Sequence, residues 1–513
     1  MKHPFIAKLG MAPLALSLLF SVSCCQEKCC DTSNSGAQST YEPTIESLSR
    51  HNAEAEWLKD AKLGIYFHWG PYVVPAFNTE WYPRSMHQKG ALQDHHIKTF
   101  GEEFHYHDFI PRFTAEKFDP KDWAELFKAS GAKFAGPVAE HHDGFSMWDS
   151  DVTPFNAADM GPKRDILGDL FGELRAIDMK TIATFHHARN LQRYQDCWEE
   201  EMSGIHPEWF EFWDSHYPFY PEYQEMMTDP KYQILYGTLP AEEWYEKVWL
   251  GKLTEVIDNY HPDIIWFDSW LDLIPEEYRL RFAAHYFNEA QKNDQEVVVA
   301  RKQEDLPLSF SIFDHEKSRE PKAKPAIWMT DDTYSMGSWS YTEGLVIKPT
   351  EMVVHSLIDA VSKNGILLLN ISPKADGTIP EDQRKGLLEL GAWLQKYGEA
   401  IYNTRPWQVA AEGPTVEPEG GFADSDKFLK LAYSSKDVRY TAAKDGKTVY
   451  AMLMGIPAAG DRVVLNAFTG VRPKTIESLN GDKIQWHSSD TNATVQFLEP
   501  RGKHAYILKI TLN

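Results

Sequence analysis

Residues 119–144 read DPKDWAELFKASGAKFAGPVAEHHDG, and one complete structural unit is legible in them. Asp119 is a helix N-cap, and Pro120 fits the first helical position, where the N–H it lacks would have no partner. Trp123, Leu126 and Phe127 give the helix its apolar face, and Gly131 ends it. Lys133 to Ala139 then reads as a strand that runs into a polar cluster, Glu140-His141-His142-Asp143-Gly144.

The unit recurs on both sides of this stretch. Upstream, Leu63 to Phe67 is a strand leading into His68-Trp69-Gly70. Downstream, helical patterns at 165–177, 240–260, 275–293 and 349–363 precede apolar strands at 181–185, 264–267, 297–300 and 366–369. Those strands end in His186-His187-Ala188-Arg189, Asp268-Ser269-Trp270, Arg301-Lys302 and Asn370. Strands alternating with helices imply a parallel α/β architecture, and uninterrupted apolar strands imply burial on both faces. Six or more such units across 45–403 predict a (β/α)8 TIM barrel, closed by a helix from Pro380 to Asn403. Chemistry in such barrels sits at the C-terminal strand ends, where the polar clusters fall.

After Pro406 the texture changes to short alternating runs at 448–454, 462–466, 494–498 and 505–512. These predict an all-β sandwich domain over 404–513. At the other end, Lys2 and Lys8 precede an apolar run from Met11 to Val22, too short to span a bilayer. Ser23-Cys24-Cys25 follows. Residues 1–25 are expected to be a signal peptide, with Cys24 the acceptor of a lipid anchor, and 26–44 a flexible tether. Export is the expected fate: periplasmic, outer-membrane-anchored or secreted, in a bacterium. Beyond Cys24, Cys25, Cys29 and Cys30 only Cys197 remains, so no internal disulfide is expected. A net charge of -23 argues against nucleic acid and anionic lipid as partners. The 17 Trp suit a pocket that stacks on sugar rings.

Asp268 directly follows Ile264-Ile265-Trp266-Phe267, and a carboxylate there is costly unless paired or used. Adjacent residues of an extended chain face opposite sides. One of His141 and His142 is therefore expected to meet a ligand while the other braces its loop. Glu304, Asp305, Asp314, Glu316, Asp331 and Asp332 follow Asp268 and offer the second carboxyl that glycoside hydrolysis requires; spacing alone does not choose among them. Phosphate-loop, dinucleotide-fingerprint, nucleophile-elbow and zinc-protease patterns are absent. No metal or cofactor is expected.

Five segments together resemble glycoside hydrolase family 29, the α-L-fucosidases. They are Lys62 to Gly70, Glu80-Trp81-Tyr82, Glu140 to Phe145, Trp266-Phe267-Asp268, and Asn364 to Asn370 with Pro373 and Asp376-Gly377. The resemblance runs in order over about residues 45–405. It implies a retaining exo-α-L-fucosidase that removes terminal fucosyl residues from fucosylated oligosaccharides or polysaccharides through a covalent intermediate. It also implies Asp268 as nucleophile, with His68, Glu80, Trp81, His141 and His142 contacting fucose and His186 and Trp328 as further substrate contacts.

Two departures stand out. Phe185-His186-His187 replaces a common Tyr-Tyr-Ser pattern, and Trp328-Met329 replaces Trp-Glu, which removes the usual acid/base. Phe313-Asp314-His315-Glu316-Lys317 resembles a subgroup pattern and makes Glu316 the candidate acid/base, with Asp331 and Asp332 as alternatives. Two other readings stay open: a metal-dependent barrel hydrolase using His68, His141, His186 and Asp268, and an inactive fucoside-binding protein of the cell surface.

Overall fold

The computed structural model describes residues 40–88, 90–191, 229–421 and 425–513. The expected signal peptide with Cys24, the tether up to residue 39, and Cys197 lie outside the described residues. The last residues assigned to the tether are docked rather than loose. The Tyr41 backbone N–H donates to Asn288 Oδ1 at 2.7 Å, and Asn288 Nδ2 donates back to the Tyr41 carbonyl at 2.9 Å.

Eight parallel strands close into a barrel in chain order. They are β1 Leu63–Phe67, β2 Phe134–Glu140, β3 Lys180–Phe185, β4 Ile264–Phe267, β5 Val298–Arg301, β6 Ile312–Asp314, β7 Trp328–Thr333 and β8 Gly365–Ile371. Closure pairs β1 with β8, bringing Tyr66 beside Asn370. Side chains alternate between two faces, as strand geometry dictates. Tyr66, Phe134, Val138, Ile182, Trp266, Ala300, Met329 and Leu368 fill the barrel interior. Ile65, Phe67, Ala135, Ala183, Phe267 and Leu369 pack outward under the helices. The capping expected at Asp119 is present, its side chain accepting from the backbone N–H groups of Lys121 and Asp122, and Asp165 likewise accepts from that of Gly168.

Beyond the helix Glu381–Tyr397 the chain enters two antiparallel sheets. The larger, in order β13-β16-β11-β10-β9, uses β9 Thr404–Glu412, β10 Val438–Ala443, β11 Thr448–Leu453, β13 Pro473–Ser478 and β16 Tyr506–Leu512. The smaller, in order β12-β15-β14, uses β12 Arg462–Leu465, β14 Ile484–Ser488 and β15 Ala493–Phe497. Val438, Tyr440, Val449 and Ile510 from one meet Val463, Leu465, Val495 and Phe497 from the other in a shared core. A buried charge cluster ties this domain to the barrel. Asp359, in the helix Thr350–Ser362, accepts from Lys363 at 2.8 Å and from Arg439 of β10 at 2.5 Å, and Glu417 pairs with both cations.

Candidate active site

A cavity of ≈ 1140 Å³ opens at the C-terminal mouth of the barrel. His68, Glu80, Trp81, His141, His142, His186, Asp268, Glu316 and Asp331 all line it. They come from the ends of β1, β2, β3, β4, β6 and β7 and, for Glu80 and Trp81, from the segment that follows β1, so residues hundreds of positions apart in sequence converge because every strand points the same way.

Asp268 is the most heavily engaged. Its Oδ2 lies 3.2 Å from His142 Nε2 and 3.4 Å from His186 Nδ1, and its Oδ1 accepts from Lys302 Nζ at 3.0 Å. Burial alone would raise this carboxyl, but Lys302 and the two imidazoles override it and hold Asp268 well below the usual carboxylate range. Burial dominates the imidazoles themselves: His186 is pushed down to about 3 and His68 to about 4, so both rings are neutral at pH 7. His68 is oriented by Asn370 at the end of β8, whose Oδ1 lies 2.8 Å from His68 Nδ1. Asn370 is braced in turn through Nδ2, which donates to Thr333 Oγ1 and to the Trp339 carbonyl. Glu80 accepts from Ser338 Oγ at 2.8 Å and from the Trp339 N–H at 3.1 Å.

Glu316 lies past the end of β6, yet it is not free to wander. His315 N–H donates to the Met329 carbonyl and Lys317 N–H to the Asp331 carbonyl, both at 2.8 Å, so the loop continues β6 alongside β7. Lys302 Nζ donates to Glu316 Oε2 at 2.9 Å and therefore bridges Glu316 and Asp268. Burial pushes Glu316 up to about 7; Lys302 opposes that rise, and Asp331 and Asp268 add to it.

The competing carboxyls separate by burial and by strand parity. Asp331 points into the barrel, where the Tyr66 hydroxyl donates to it at 2.8 Å and Lys302 Nζ lies 3.2 Å away. Burial and the adjacent Asp314 carboxyl push Asp331 far above the usual range. Its side chain is 0% exposed, against 19% for Glu316 and 14% for Asp268, so those two are the more open to the cavity. Asp332, the next residue on β7, necessarily faces outward. It pairs with Lys348 at 2.6 Å and does not line the cavity, which corrects its standing as an acid/base alternative. Glu304 and Asp305 do not line it either.

Two further expectations change. Trp328 is the first residue of β7, at the end of the strand remote from the mouth, and its indole Nε1 donates to the Lys363 carbonyl at 2.9 Å. It is buried outside the cavity and is not a substrate contact. His141 and His142, by contrast, both line the cavity, with ring centroids 4.6 Å apart. They lie beyond the end of β2, after a register shift between Val138 and Glu140, so strand alternation no longer separates them.

Lys302 is a cavity residue whose place sequence reasoning passed over. It was visible only as half of a strand-end pair: Arg301 turns away to the Gln303 carbonyl, and Lys302 turns in. Arg189 was equally hidden; its guanidinium sits between the rings of Trp81 and Trp270, 4.8 and 4.6 Å from their centroids. Two trios, His68–His141–His186 and His142–His186–Asp268, have donor atoms close enough to hold a metal ion. The Lys302 ammonium beside Asp268 opposes a cation in the second trio.

The α-L-fucosidase family model matches residues 28–399. The chain is 32% identical to the tissue α-L-fucosidase of Rattus norvegicus over 368 residues, 69% of this chain and 71% of that protein. It is 30% identical to the plasma α-L-fucosidase of Pongo abelii over 467 residues, 88% of this chain and 86% of the relative. The fold is similar to the crystal structure of the Thermotoga maritima α-fucosidase in complex with fucose, with a TM-score of 0.70, 28% identity, and coverage of 92% of this chain and 100% of that one.

Proposed function

The chain belongs to the α-L-fucosidase family of glycoside hydrolases, and from that premise we propose that it is a retaining, exo-acting enzyme in which Asp268 is the nucleophile and Glu316 the acid/base. One observation carries the assignment: the single Lys302 ammonium touches both carboxyls, yet Asp268 is held ionised while Glu316 is held up to about 7. Two carboxyls pushed apart in this way divide into nucleophile and acid. Contact distances of 3.0 and 2.9 Å to one nitrogen also keep them close, consistent with the ~5–5.5 Å spacing of retaining pairs and short of the ~6.5–9.5 Å of inverting ones.

In the first step the Asp268 carboxylate bonds to fucose C1, the C1–O bond to the aglycone breaks, and Glu316 gives its proton to the departing oxygen. The product is a fucosyl ester on Asp268. The ester carries no charge, so the repulsion that raised Glu316 weakens, and Glu316 becomes a base. A water then loses its proton to Glu316 as its oxygen bonds to C1, the ester bond breaks, and the Asp268 carboxylate is regenerated. The Thermotoga structure holds fucose, which supports reading His68, Glu80, Trp81, His141, His142 and His186 as the fucose contacts here. Proton NMR during turnover of an aryl α-L-fucoside tests the course: α-fucose should be the first anomer released, and β-fucose would overturn double displacement. Full turnover in chelator is expected; loss of activity restored by a divalent metal would favour the metal-dependent reading.

Export with a lipid on Cys24 is part of the same proposal. It is supported by Lys2, Lys8, the apolar run from Met11 to Val22, and the cysteine that follows Ser23. Mass spectrometry of membrane-derived protein should find an acylated Cys24 as the first residue.

A further inference from the structure

His68, His141 and His186 share one place in the fold: each is the first residue after its strand, β1, β2 and β3. Those strands are neighbours in the barrel, so the three imidazoles meet. Their ring centroids form a near-regular triangle with sides of 5.4, 5.2 and 4.8 Å. One ring nitrogen from each lies within 4.8 Å of the other two. All three side chains are buried, and all three line the catalytic cavity.

Hydrogen bonding decides which nitrogen carries the proton on two of the rings. Asn370 Nδ2 donates to Thr333 and to the Trp339 carbonyl, so Asn370 Oδ1 is the acceptor and His68 Nδ1 the donor. Asp268 is ionised and can only accept, which places the His186 proton on Nδ1. Burial keeps both rings neutral at pH 7, so each holds a lone pair on Nε2. His186 Nε2 is buried and has no hydrogen-bond partner among the described residues. A neutral imidazole that donates from one nitrogen to an oxygen and leaves the other unpaired is arranged as a metal ligand is.

The third ring also marks a departure in sequence. His186 stands where a common family pattern has a tyrosine, and a phenol, still protonated at pH 7, is a far poorer ligand. Around His68, Glu80 and Asp268 favour a positive charge while Lys302 opposes it. We propose that His68, His141 and His186 form a binding site for a divalent transition ion, zinc or copper, which occupies the fucose pocket and shuts out substrate. Imidazole suits these ions, whereas magnesium and calcium take oxygen ligands. Tetrahedral zinc, with Zn–N bonds of ~2.0–2.1 Å, sets its nitrogens about 3.4 Å apart, so the rings have little more than an ångström to close. The competition with substrate rests on reading these histidines as fucose contacts; the binding of metal does not.

The test uses the full chain, freed of metal with EDTA. Zn²⁺ is titrated calorimetrically with and without L-fucose, and aryl α-L-fucoside turnover is followed with Zn²⁺, Mg²⁺ or Ca²⁺ added. Zn²⁺ should bind, L-fucose should weaken that binding, and Zn²⁺ should raise KM at constant kcat until EDTA reverses it. Mg²⁺ and Ca²⁺ should leave turnover as it is. His186→Tyr should raise the Zn²⁺ inhibition constant about tenfold or more, since disturbing even the partner of a metal-bound histidine costs ~10–100-fold in affinity. His141→Gln should weaken the fucose-sensitive zinc binding in the calorimeter by a similar factor. Zinc binding that both variants leave intact, inhibition that substrate does not relieve, or turnover stimulated by Zn²⁺ overturns the site. Absence of aryl fucoside turnover would instead overturn the reading of the catalytic centre, and calorimetry on the variants would still decide the metal site.

Discussion

At the mouth of the barrel one ammonium, Lys302, faces three carboxyls, Asp268, Glu316 and Asp331. At the junction of the two domains three cations, Lys363, Arg439 and Arg319, face two carboxylates, Asp359 and Glu417. Both clusters are buried, and their opposite balances give them opposite chemistry. Where acids outnumber cations, burial cannot leave every carboxyl ionised, so protons stay on the site: Asp331 is held far up and Glu316 near 7. Where cations outnumber acids, the surrounding positive charge overrides burial, and Asp359 is held far below its ordinary value. The first cluster can give and take a proton near neutral pH. The second holds two domains together. A buried ion pair is thus not one kind of object; its charge count decides whether it is a reagent or a brace.

Removing Asp268, the proposed nucleophile, should break the first cluster most severely. Asp268→Ala is expected to lose at least ~10³-fold in kcat, because the covalent route disappears. Azide should partly restore turnover and yield a fucosyl azide of inverted configuration; near-wild-type activity would remove Asp268 from its role.

Removing Glu316, the proposed acid/base, should show a dependence on leaving group. Glu316→Ala is expected to lose ~10²–10⁴-fold on poorly activated fucosides, the usual range for a general acid, and far less in the first step on activated aryl fucosides. Equal losses on both, or none, would move the role elsewhere.

The pH profile sharpens the comparison. Glu316 must be protonated to act, so kcat/KM should fall as pH rises through about 7. Asp268 must be ionised, so the acid limb should lie below the ordinary carboxylate range. The Lys302 cation lowers both groups, so Lys302→Met should move both limbs to higher pH, by roughly one to three units for a contact this close. A profile that stays in place would mean that Lys302 does not set these charges.

The smallest effect on chemistry belongs to the second cluster. Asp359→Asn removes the more deeply buried of the two carboxylates that Lys363 and Arg439 share and should lower unfolding stability by about 3–5 kcal/mol. Turnover per folded molecule should be unchanged. A loss of kcat without a loss of stability would show that the junction also takes part in catalysis.

How much of this could be read in advance depended on the length of each signal. β1, β2, β4, β5 and β8 were legible because each holds an apolar run ending in polar residues, and β3 because its run of β-formers, Thr181 to Phe185, follows a helical pattern and ends in His186-His187. β6 has three residues and β7 carries Thr330, Asp331, Asp332 and Thr333, so neither shows the expected apolar run. In the second domain β11, β12, β15 and β16 were anticipated, but β9, β10, β13 and β14 were not. β9 and β14 place few side chains in full burial, so their periodicity is weak.

Local order in the chain determined the strand-end clusters, the capped helices, and thereby the barrel and Asp268 at its mouth, since hydrophobic period and capping chemistry act over a few residues. The family resemblance supplied Glu316 as a candidate. Only the tertiary structure separated Asp331 from Asp332, discarded Trp328, joined His141 to His142 and disclosed Lys302. Those outcomes depend on which face of a strand a side chain takes, where a strand stops, and which charges meet across the barrel from positions far apart in sequence. Coulomb interaction and burial act through space, and no spacing along the chain records them.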